Sequence, residues 1–455
     1  MNHYLVYYSG VEQNFRLPEF ESLCDLMKVR FSVVSGNPDK DRYFVIHTED
    51  KENLCKAVGR SMLIHQVTEL WGHGTNLDDL RSASREYLDK TKFDIPTESW
   101  KYNVIASNKR GMPISKQVEY VEEFGISFDG PVNLSSPQHI LDLYLDFGEA
   151  KSPERPVYYY CGRRLCDSGR DILPRYDTKG RAFIGNTAMC PLMAFLMANQ
   201  GQVVDGALVL DPFVGSGGLT VVCAEFGGYS LGSDINITLL RGRGRSVRGY
   251  GYRKTDENFR GSYEQYGTLS RFIDVIASDQ HRPPWRSTML VDAIITDPPY
   301  GIREATRKKG SEQQTIKYQT PDLVEDLLGF AAHHLLPGGR LVYFLPVIMA
   351  SFELDDVPKH PQFRFISASP QLMRAGLARV LVTMEKLRQD QVPVSDDVSW
   401  REQCQNLEPD LRDEYYSKLE ARSKERRECS QSPVEHKGKV EEETKDEGAA
   451  RAEAP

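Results

Sequence analysis

Two acid-proline stretches hold the residues best suited to chemistry: "DPFVGSGG" from Asp211 and "TDPPYG" from Thr296 to Gly301. Each follows a short apolar run of the kind that fills a buried parallel strand, "ALVL" before the first and "VDAIIT" before the second. In an open parallel sheet, ligands sit at the carboxyl ends of the strands, where the strand order reverses. Strand "ALVL" would deliver Asp211 to that edge, and Gly215 and Gly217 would let the loop backbone approach a ligand that a Cβ would repel. About twenty residues on, "YSLGSD" ends at Asp234, the spacing at which a carboxylate meets the two hydroxyls of a ribose. "FIDVIASD" then ends at Asp279, within reach of an adenine amino group. Three acids at three successive strand ends predict a nucleoside pocket. Taken alone, the glycine loop also suits a tight strand-to-helix turn with no ligand. No Gly-Lys-Ser/Thr follows it, and Asp211 would repel a pyrophosphate, so an adenosine carrying a positive sulfonium fits the pocket better.

The second stretch points to what would react there. Prolines lack an N–H, so the turn at Pro298 and Pro299 exposes carbonyl oxygens in fixed directions. Asp297 and the Pro298 carbonyl can accept both hydrogens of one planar amine, while Tyr300 offers a ring for a base to stack on. That arrangement directs the nitrogen lone pair toward a methyl donor. Positioning of this kind can lower a barrier by roughly 7–11 kcal/mol, so neither a histidine base nor a metal is required. His333 and His334 read as residues of a helix, and Trp71, Trp100, Trp285 and Trp400 as core.

The elements that must position these residues follow from the patterning. The chain has 455 residues, 40% of them hydrophobic, and a net charge of -8, enough for several packed domains without a global basic field. Any nucleic acid must therefore be held by local patches. Its eight cysteines show no repeated pairing, and Cys161 with Cys166 lacks the partners of a zinc site. The N-terminus has no signal-peptide pattern and no apolar run approaches a membrane span, so a cytosolic or nuclear protein is expected. Up to about residue 150, short strand-like runs ("HYLVYYS", "RFSVVSG", "RYFVIHT", "YNVIASN") mix with helix-like ones, which predicts two α+β modules. A Pro-, Tyr- and Arg-rich linker then leads to "PLMAFLMA", a buried helix with proline in its first turn. From Ala207 to Lys386, apolar strands alternate with helices and close with an antiparallel pair, "FRFISASP" and "ARVLVTMEK". The expected fold is α/β, mostly parallel and doubly wound. Beyond it the chain turns charged, and Ser430–Pro455 has the composition of a disordered tail.

"DPFVGSG" together with "DPPYG" resembles the Rossmann-like class I amino-methyltransferases that use S-adenosyl-L-methionine. Adding "FRLPEFESL", "PVNLSSPQHILDL", "FIGNTAMCPLMAFLMANQG", "ITDPPYGIREATRKKGS" and "GGRLVYFLP", the chain is similar to the catalytic subunits of the methyltransferases that modify guanine N2 at the tenth nucleotide of tRNA. The resemblance implies a ferredoxin-like module at 1–70, a THUMP-like RNA-binding module at 71–151, a linker at 152–182, a class I methyltransferase domain at 183–390 and a charged, largely disordered tail at 391–455. It places Thr187, Asp211, Pro212, Phe213, Gly215, Gly217, Asp234 and Asp279 on the cofactor, and Asp297, Pro298, Pro299 and Tyr300 on the target base. Two basic stretches beside the pocket supply candidate RNA contacts: Arg241, Arg243 and Arg245, then Arg303, Arg307 and Lys308. The chain departs from the family at Thr187-Ala-Met-Cys190, where Thr-Ser-Met-Asp is common, and at Asn236, where a second acid is common. The resemblance also implies a cytoplasmic heterodimer with a small zinc-binding activator subunit. Strand "FIDVIASD", expected at a sheet edge with Phe272, Ile273, Val275 and Ile276, would be the place for it to add. A DNA adenine or cytosine amino-methyltransferase and a non-catalytic tRNA-binding scaffold are the alternatives. A chain lacking everything up to about Lys151 is expected to keep a folded, cofactor-binding domain.

Overall fold

The computed structural model describes residues 2–408, apart from 110, 149–153, 186, 245, 247–251, 301–306, 310–314, 318, 374–376 and 393–398. The N-terminal part alternates strands and helices: β1 (His3–Tyr8), α1 (Arg16–Leu26), β2 (Ser32–Ser35), β3 (Tyr43–His47), α2 (Lys51–Val58), β4 (Ile64–Gly74), α3 (Leu77–Thr91), β5 (Trp100–Ser107), α4 (Ile114–Phe124), β6 (His139–Asp146) and β7 (Tyr158–Asp167). Side-chain caps start two of the helices, Asp50 accepting from the Asn53 N–H at α2 and Asn76 from the Asp79 N–H at α3. All seven strands join one sheet in the order β2-β3-β1-β4-β7-β6-β5.

This differs from the two-module reading in two places. The expected boundary at residues 70 and 71 falls inside β4, and the expected linker at 152–182 contains β7, which pairs with β4 on one side and β6 on the other. The flanking prolines and arginines disguise β7 as a connector, but its backbone is paired on both sides, as in a central strand. A Cβ at Gly162 would stand 2.0 Å from the Glu69 carbonyl oxygen, where β4 bulges between Leu70 and Gly72. The sheet also curls. The Tyr43 ring on β3 lies 5.3 Å from Tyr160 on β7 and 5.6 Å from Tyr144 on β6. A flat sheet would hold those strands roughly 14–19 Å apart.

The second part contains α5 (Pro191–Gln200), β8 (Leu208–Asp211), α6 (Gly218–Glu225), β9 (Tyr229–Asp234), α7 (Ile237–Leu240), α8 (Phe259–Tyr266), β10 (Phe272–Ala277), β11 (Val291–Thr296), β12 (Arg307–Lys309), β13 (Thr315–Lys317), α9 (Thr320–His334), β14 (Leu335–Ile348), β15 (Phe363–Leu372), β16 (Leu377–Lys386) and α10 (Ser399–Gln405). Its sheet runs β10-β9-β8-β11-β14-β16-β15. The first five strands are parallel, and β16 runs antiparallel to both neighbours, as the pattern predicted. The order reverses between β8 and β11, so the crevice expected of a doubly wound sheet opens at their carboxyl ends. Strand β10 forms one edge. Only part of its apolar surface faces outward: Ile273 is exposed, while Phe272 and Val275 pack against Phe183, Val214 and Phe259. The tail expected from 391 does not hold over Ser399–Gln405, where α10 buries Trp400 and Cys404 against the same core as α9. Residues 409–455 lie outside the described residues. Among those described, no helix is long and apolar enough to cross a membrane.

The two parts share a core. Phe15, Met62 and Leu63 pack in one cluster with Met193, Phe195 and Met197 of α5. At its margin Glu19 is fully buried and accepts from the Ser61 hydroxyl at 2.7 Å, the Met62 and Leu63 N–H groups at 2.8 and 3.0 Å, and the Asn199 amide at 2.8 Å. Four donors offset the cost of burying a carboxyl; desolvation still raises its pKa. Arg340 of β14 reaches Asp25 at 2.8 Å across the same junction. Removing residues 1–151 would expose this cluster and strip β7 of both partners. The truncated chain is therefore expected to aggregate or to unfold well below the full chain's Tm, contrary to the sequence expectation. Size-exclusion chromatography and thermal unfolding of the two forms check this; a monodisperse fragment that unfolds with the full chain's Tm would contradict it.

Candidate active site

Strand β8 ends at Asp211, which is 2% exposed. The Thr296 hydroxyl at the end of β11 donates to Asp211 Oδ1 at 2.6 Å, and the Phe213 N–H donates to the same oxygen at 3.0 Å. Both bonds fall on Oδ1, which leaves the Oδ2 lone pairs unspent among the described residues. Burial pushes this carboxyl up to about 7; the two donors oppose the shift, and the charges of Asp234 and Asp297 add to it. Pro212 is buried with it, its carbonyl accepting from the Ser233 hydroxyl at 3.4 Å, and Phe213 packs on the core below.

The loop that follows is folded around the next acid. The Val214 N–H donates to the Ser233 carbonyl at 2.9 Å, the Gly215 N–H to Asp234 Oδ2 at 2.9 Å, and the Asn236 N–H to Asp234 Oδ1 at 2.8 Å. Asp234 is thereby fixed by one N–H on each oxygen and keeps a lone pair on each for a pair of hydroxyls. Gly215, at φ +51°, has open space where a Cβ would point. Gly217 differs from the expectation that it serves ligand approach. At φ +76°, its missing Cβ would stand 2.8 Å from the Phe259 ring, so its smallness serves packing against α8. Asp279 stands two residues past β10, half-buried, its Oδ1 accepting from the His281 N–H at 3.1 Å. Thr187 is exposed in the segment before α5, which passes over the glycine loop: a Cβ on Gly185 would lie 3.4 Å from the Ser216 hydroxyl.

At the end of β11, Pro298 is buried while Asp297, Pro299 and Tyr300 are half-buried. The Tyr300 hydroxyl donates to Asp297 Oδ1. Burial and the neighbouring Asp297 charge push the phenol far above its ordinary range. Sequence reasoning missed the cation here. Arg379 of β16 reaches Asp297 Oδ2 at 3.3 Å and the Tyr300 oxygen at 3.4 Å. It also missed Arg181, buried beneath the glycine loop, which donates to the Ser216 hydroxyl at 3.0 Å and the Phe183 carbonyl at 2.8 Å. A single charge in an otherwise apolar strand, "LARVLVTM", was the available sign of the first; the second had none.

The structure thus gathers Asp211, Gly215, Asp234 and Asp297 around one crevice, with Asp279 at its β10 side. Among the RNA candidates, Arg241 and Arg243 are exposed just after α7. Arg307 and Lys308 belong to β12, opposite Lys317 and Ile316 of β13. Arg245 and Arg303 lie outside the described residues. Chemically, the crevice offers oriented carboxylates to a cationic nucleoside and an acid with a carbonyl to an amine beside it.

A family model described as the Tmrp11 THUMP N-terminal domain matches residues 2–170. The chain is 35% identical over 413 residues to the tRNA (guanine(10)-N(2))-methyltransferase TRMT11 of Pongo abelii, covering 85% of this chain and 89% of that one. It is 34% identical over 467 residues to the protein of the same name from Rattus norvegicus, covering 97% and 99%. A crystal structure of TrmN from Thermus thermophilus aligns with 85% of this chain and all of its own, at 18% identity and a TM-score of 0.40.

The raised pKa of Asp211 has a measurable consequence. The carboxyl titrates near 3.8 when unfolded and at about 7 when folded, so its protonated form is the one the fold prefers. Stability from this group is complete below the unfolded value and is lost as pH rises through the folded one. Asp211→Asn keeps the Oδ1 acceptor and removes the charge. The variant should match the parent near pH 4 and exceed its stability at pH 8 by a few kcal/mol, since each tenfold difference in proton affinity between the two states is worth about 1.4 kcal/mol. Thermal unfolding of both across that range is the check; parallel curves would contradict the assignment.

Proposed function

The chain belongs to the tRNA (guanine(10)-N(2))-methyltransferase family, and we propose that it transfers a methyl group from S-adenosyl-L-methionine to the exocyclic N2 of guanine 10 in tRNA. The observation that carries this reading is the adjacency of two acid motifs across the β8–β11 crevice, tied by the Thr296–Asp211 hydrogen bond. The donor set fits the cofactor. Asp234 keeps lone pairs for a ribose diol, Asp279 is the candidate for the adenine amino group, the open space at Gly215 accepts backbone approach, and the acids suit a sulfonium. Bound there, the cofactor supplies an electrophilic methyl group on a positive sulfur. Thr187, Pro212 and Phe213 belong to the same cradle, and Gly217 lets its loop turn into α6 against Phe259.

The chain's own residues deal with the amine. Asp297 accepts one N2 hydrogen and the Pro298 carbonyl accepts the other, turning the nitrogen lone pair out of the guanine plane toward the crevice. The nitrogen so presented would take up the methyl group, and its surplus proton would leave through Asp297 or solvent. Pro299 holds the turn, and Tyr300 walls the base. Arg241, Arg243 and Arg245, with Arg303, Arg307 and Lys308, supply the contacts to the RNA backbone, while the N-terminal unit grips the rest of the tRNA. Work on tRNA suits a cytoplasmic protein. A small zinc-binding activator subunit adds to the β10 edge; supporting this is the edge position of β10 with Ile273 turned outward.

Incubation with labelled cofactor and separate tRNA, other RNA and DNA pools should yield N2-methylguanosine from tRNA alone. Label in DNA amines, or none anywhere, would overturn the reading. Asp297→Ala should lower kcat at least ~100-fold with the cofactor Kd unchanged, as expected for a group that acts only on the amine. Asp234→Ala should weaken cofactor binding by roughly 10- to 100-fold, the value of lost charge-assisted bonds, measured by calorimetry. Ile273→Asp should abolish co-purification with the small subunit; an intact complex would put the partner elsewhere.

A further inference from the structure

The cation against Asp297 is itself held by a relay of residues that reaches the other end of the chain. The Arg379 guanidinium lies 3.9 Å from the centre of the Phe344 ring, and its Nη2 reaches the Met189 sulfur at 3.7 Å. Its Nε donates to Gln371 Oε1 at 2.8 Å, directly across the β15–β16 pair. Gln371 Nε2 in turn donates to Glu12 Oε1 at 2.8 Å. Glu12 belongs to the turn between β1 and α1, in the N-terminal unit, and adopts φ 47° and ψ 54°, a left-handed conformation unfavourable for a side-chain-bearing residue. Two residues on, the Asn14 amide donates to the Pro370 carbonyl at 2.8 Å, and Phe15 enters the shared core. The turn is thus fastened at three points, which is what sustains its conformation.

We propose that Arg379 is the positioning residue of the Asp297 motif, and that Gln371 and Glu12 aim it, so that seating of the N-terminal unit on β15 sets the geometry in which the amine is methylated. The inference rests on the reading of Asp297 as the amine acceptor. The physical reason is one of charge and rotation. Asp297 must present a carboxylate in one orientation beside Asp211 and Asp234, and a carboxylate among like charges turns away unless a cation holds it. Among the described residues, the groups around it include Tyr300 of its own turn, Asp211 and Thr296 at the adjoining strand ends, and Arg379 from β16, with Cys190 near Arg379. A guanidinium has five N–H donors in one plane. Fixing that plane from behind through Nε determines where Nη1 meets Asp297 and Tyr300. Glu12 belongs to the unit matched by the THUMP N-terminal domain, so the chain connects tRNA capture to the reacting end through three hydrogen-bonded side chains.

The test compares Asp297→Asn, Arg379→Gln, Gln371→Leu and Glu12→Ala in the full chain with its small subunit, on tRNA at steady state. Arg379→Gln should lower kcat about 100-fold, the scale of an ångström-level misplacement, with tRNA KM and cofactor Kd within about twofold. Gln371→Leu and Glu12→Ala should each lower kcat about 5- to 10-fold at unchanged Tm, and neither should lower it further in the Arg379→Gln background. Full additivity, or losses that track Tm or cofactor Kd, would overturn the proposal. If Arg379→Gln does not fold, the Gln371→Leu and Glu12→Ala pair decides by the same criterion: non-additive kcat losses support the chain, and unaffected kcat refutes it. An active Asp297→Asn would instead overturn the reading of the motif. An inactive Asp297→Asn beside a fully active Arg379→Gln would overturn only this inference.

Discussion

The hydrogen bond from Thr296 to Asp211 spans the point where the catalytic sheet changes direction, and the crevice is built around it. It draws together the ends of β8 and β11, which share few backbone pairs, Ala293 with Val209 and Ile294 with Leu210. Three carboxylates then converge on one cleft, an arrangement that electrostatics opposes. Each is matched with donors: Thr296 and the Phe213 N–H for Asp211, the Gly215 and Asn236 N–H groups for Asp234, Tyr300 and Arg379 for Asp297. The conformation of the glycine loop follows from this matching, since the Gly215 N–H must point at Asp234 while the chain turns into α6. An acid-rich pocket of this kind attracts a cation.

The N-terminal unit is bound into the catalytic domain more deeply than an accessory module would be. Glu19 has its hydrogen bonds satisfied only with Asn199 of α5 in place, and Arg340 is buried between Asp25 and Glu385. Leaving either group unpaired would cost on the order of 1–3 kcal/mol or more, a sizeable part of a domain's net stability. Polar contacts at the margin and apolar ones behind them, from Phe15, Met62 and Leu63, fix one relative orientation. Orientation matters to an enzyme whose substrate is a folded RNA.

What the sequence disclosed was local. Continuous apolar runs ending in an acid identified β8, β9 and β11 and placed Asp211, Asp234 and Asp297 at one edge, because strand periodicity and a topological rule suffice for that. Proline before "LMAFLMA" located α5. What escaped depended on partners distant in the chain. Strand β7 reads as a linker until β4 and β6 are seen on either side, and Gly162 gains its meaning only from the Glu69 carbonyl. Gly217 looked like a ligand contact because nothing in the loop announces Phe259. Arg379 is separated from Asp297 by 82 positions, and Gln371 from Glu12 by 359, so no window of sequence contains either pair.

The seating of Asn199 against Glu19 also bears on how the protein is made. A chain emerging from the ribosome delivers Glu19 some 180 residues before Asn199. During that interval the strands β1, β3 and β4 can pair, yet a buried acid still lacks one of its donors and the apolar face of Met62 and Leu63 has nothing to lie against. Completion waits for β7 and then α5. Until then the N-terminal unit lacks the cover for its apolar rim, and α5 is the element whose arrival supplies it.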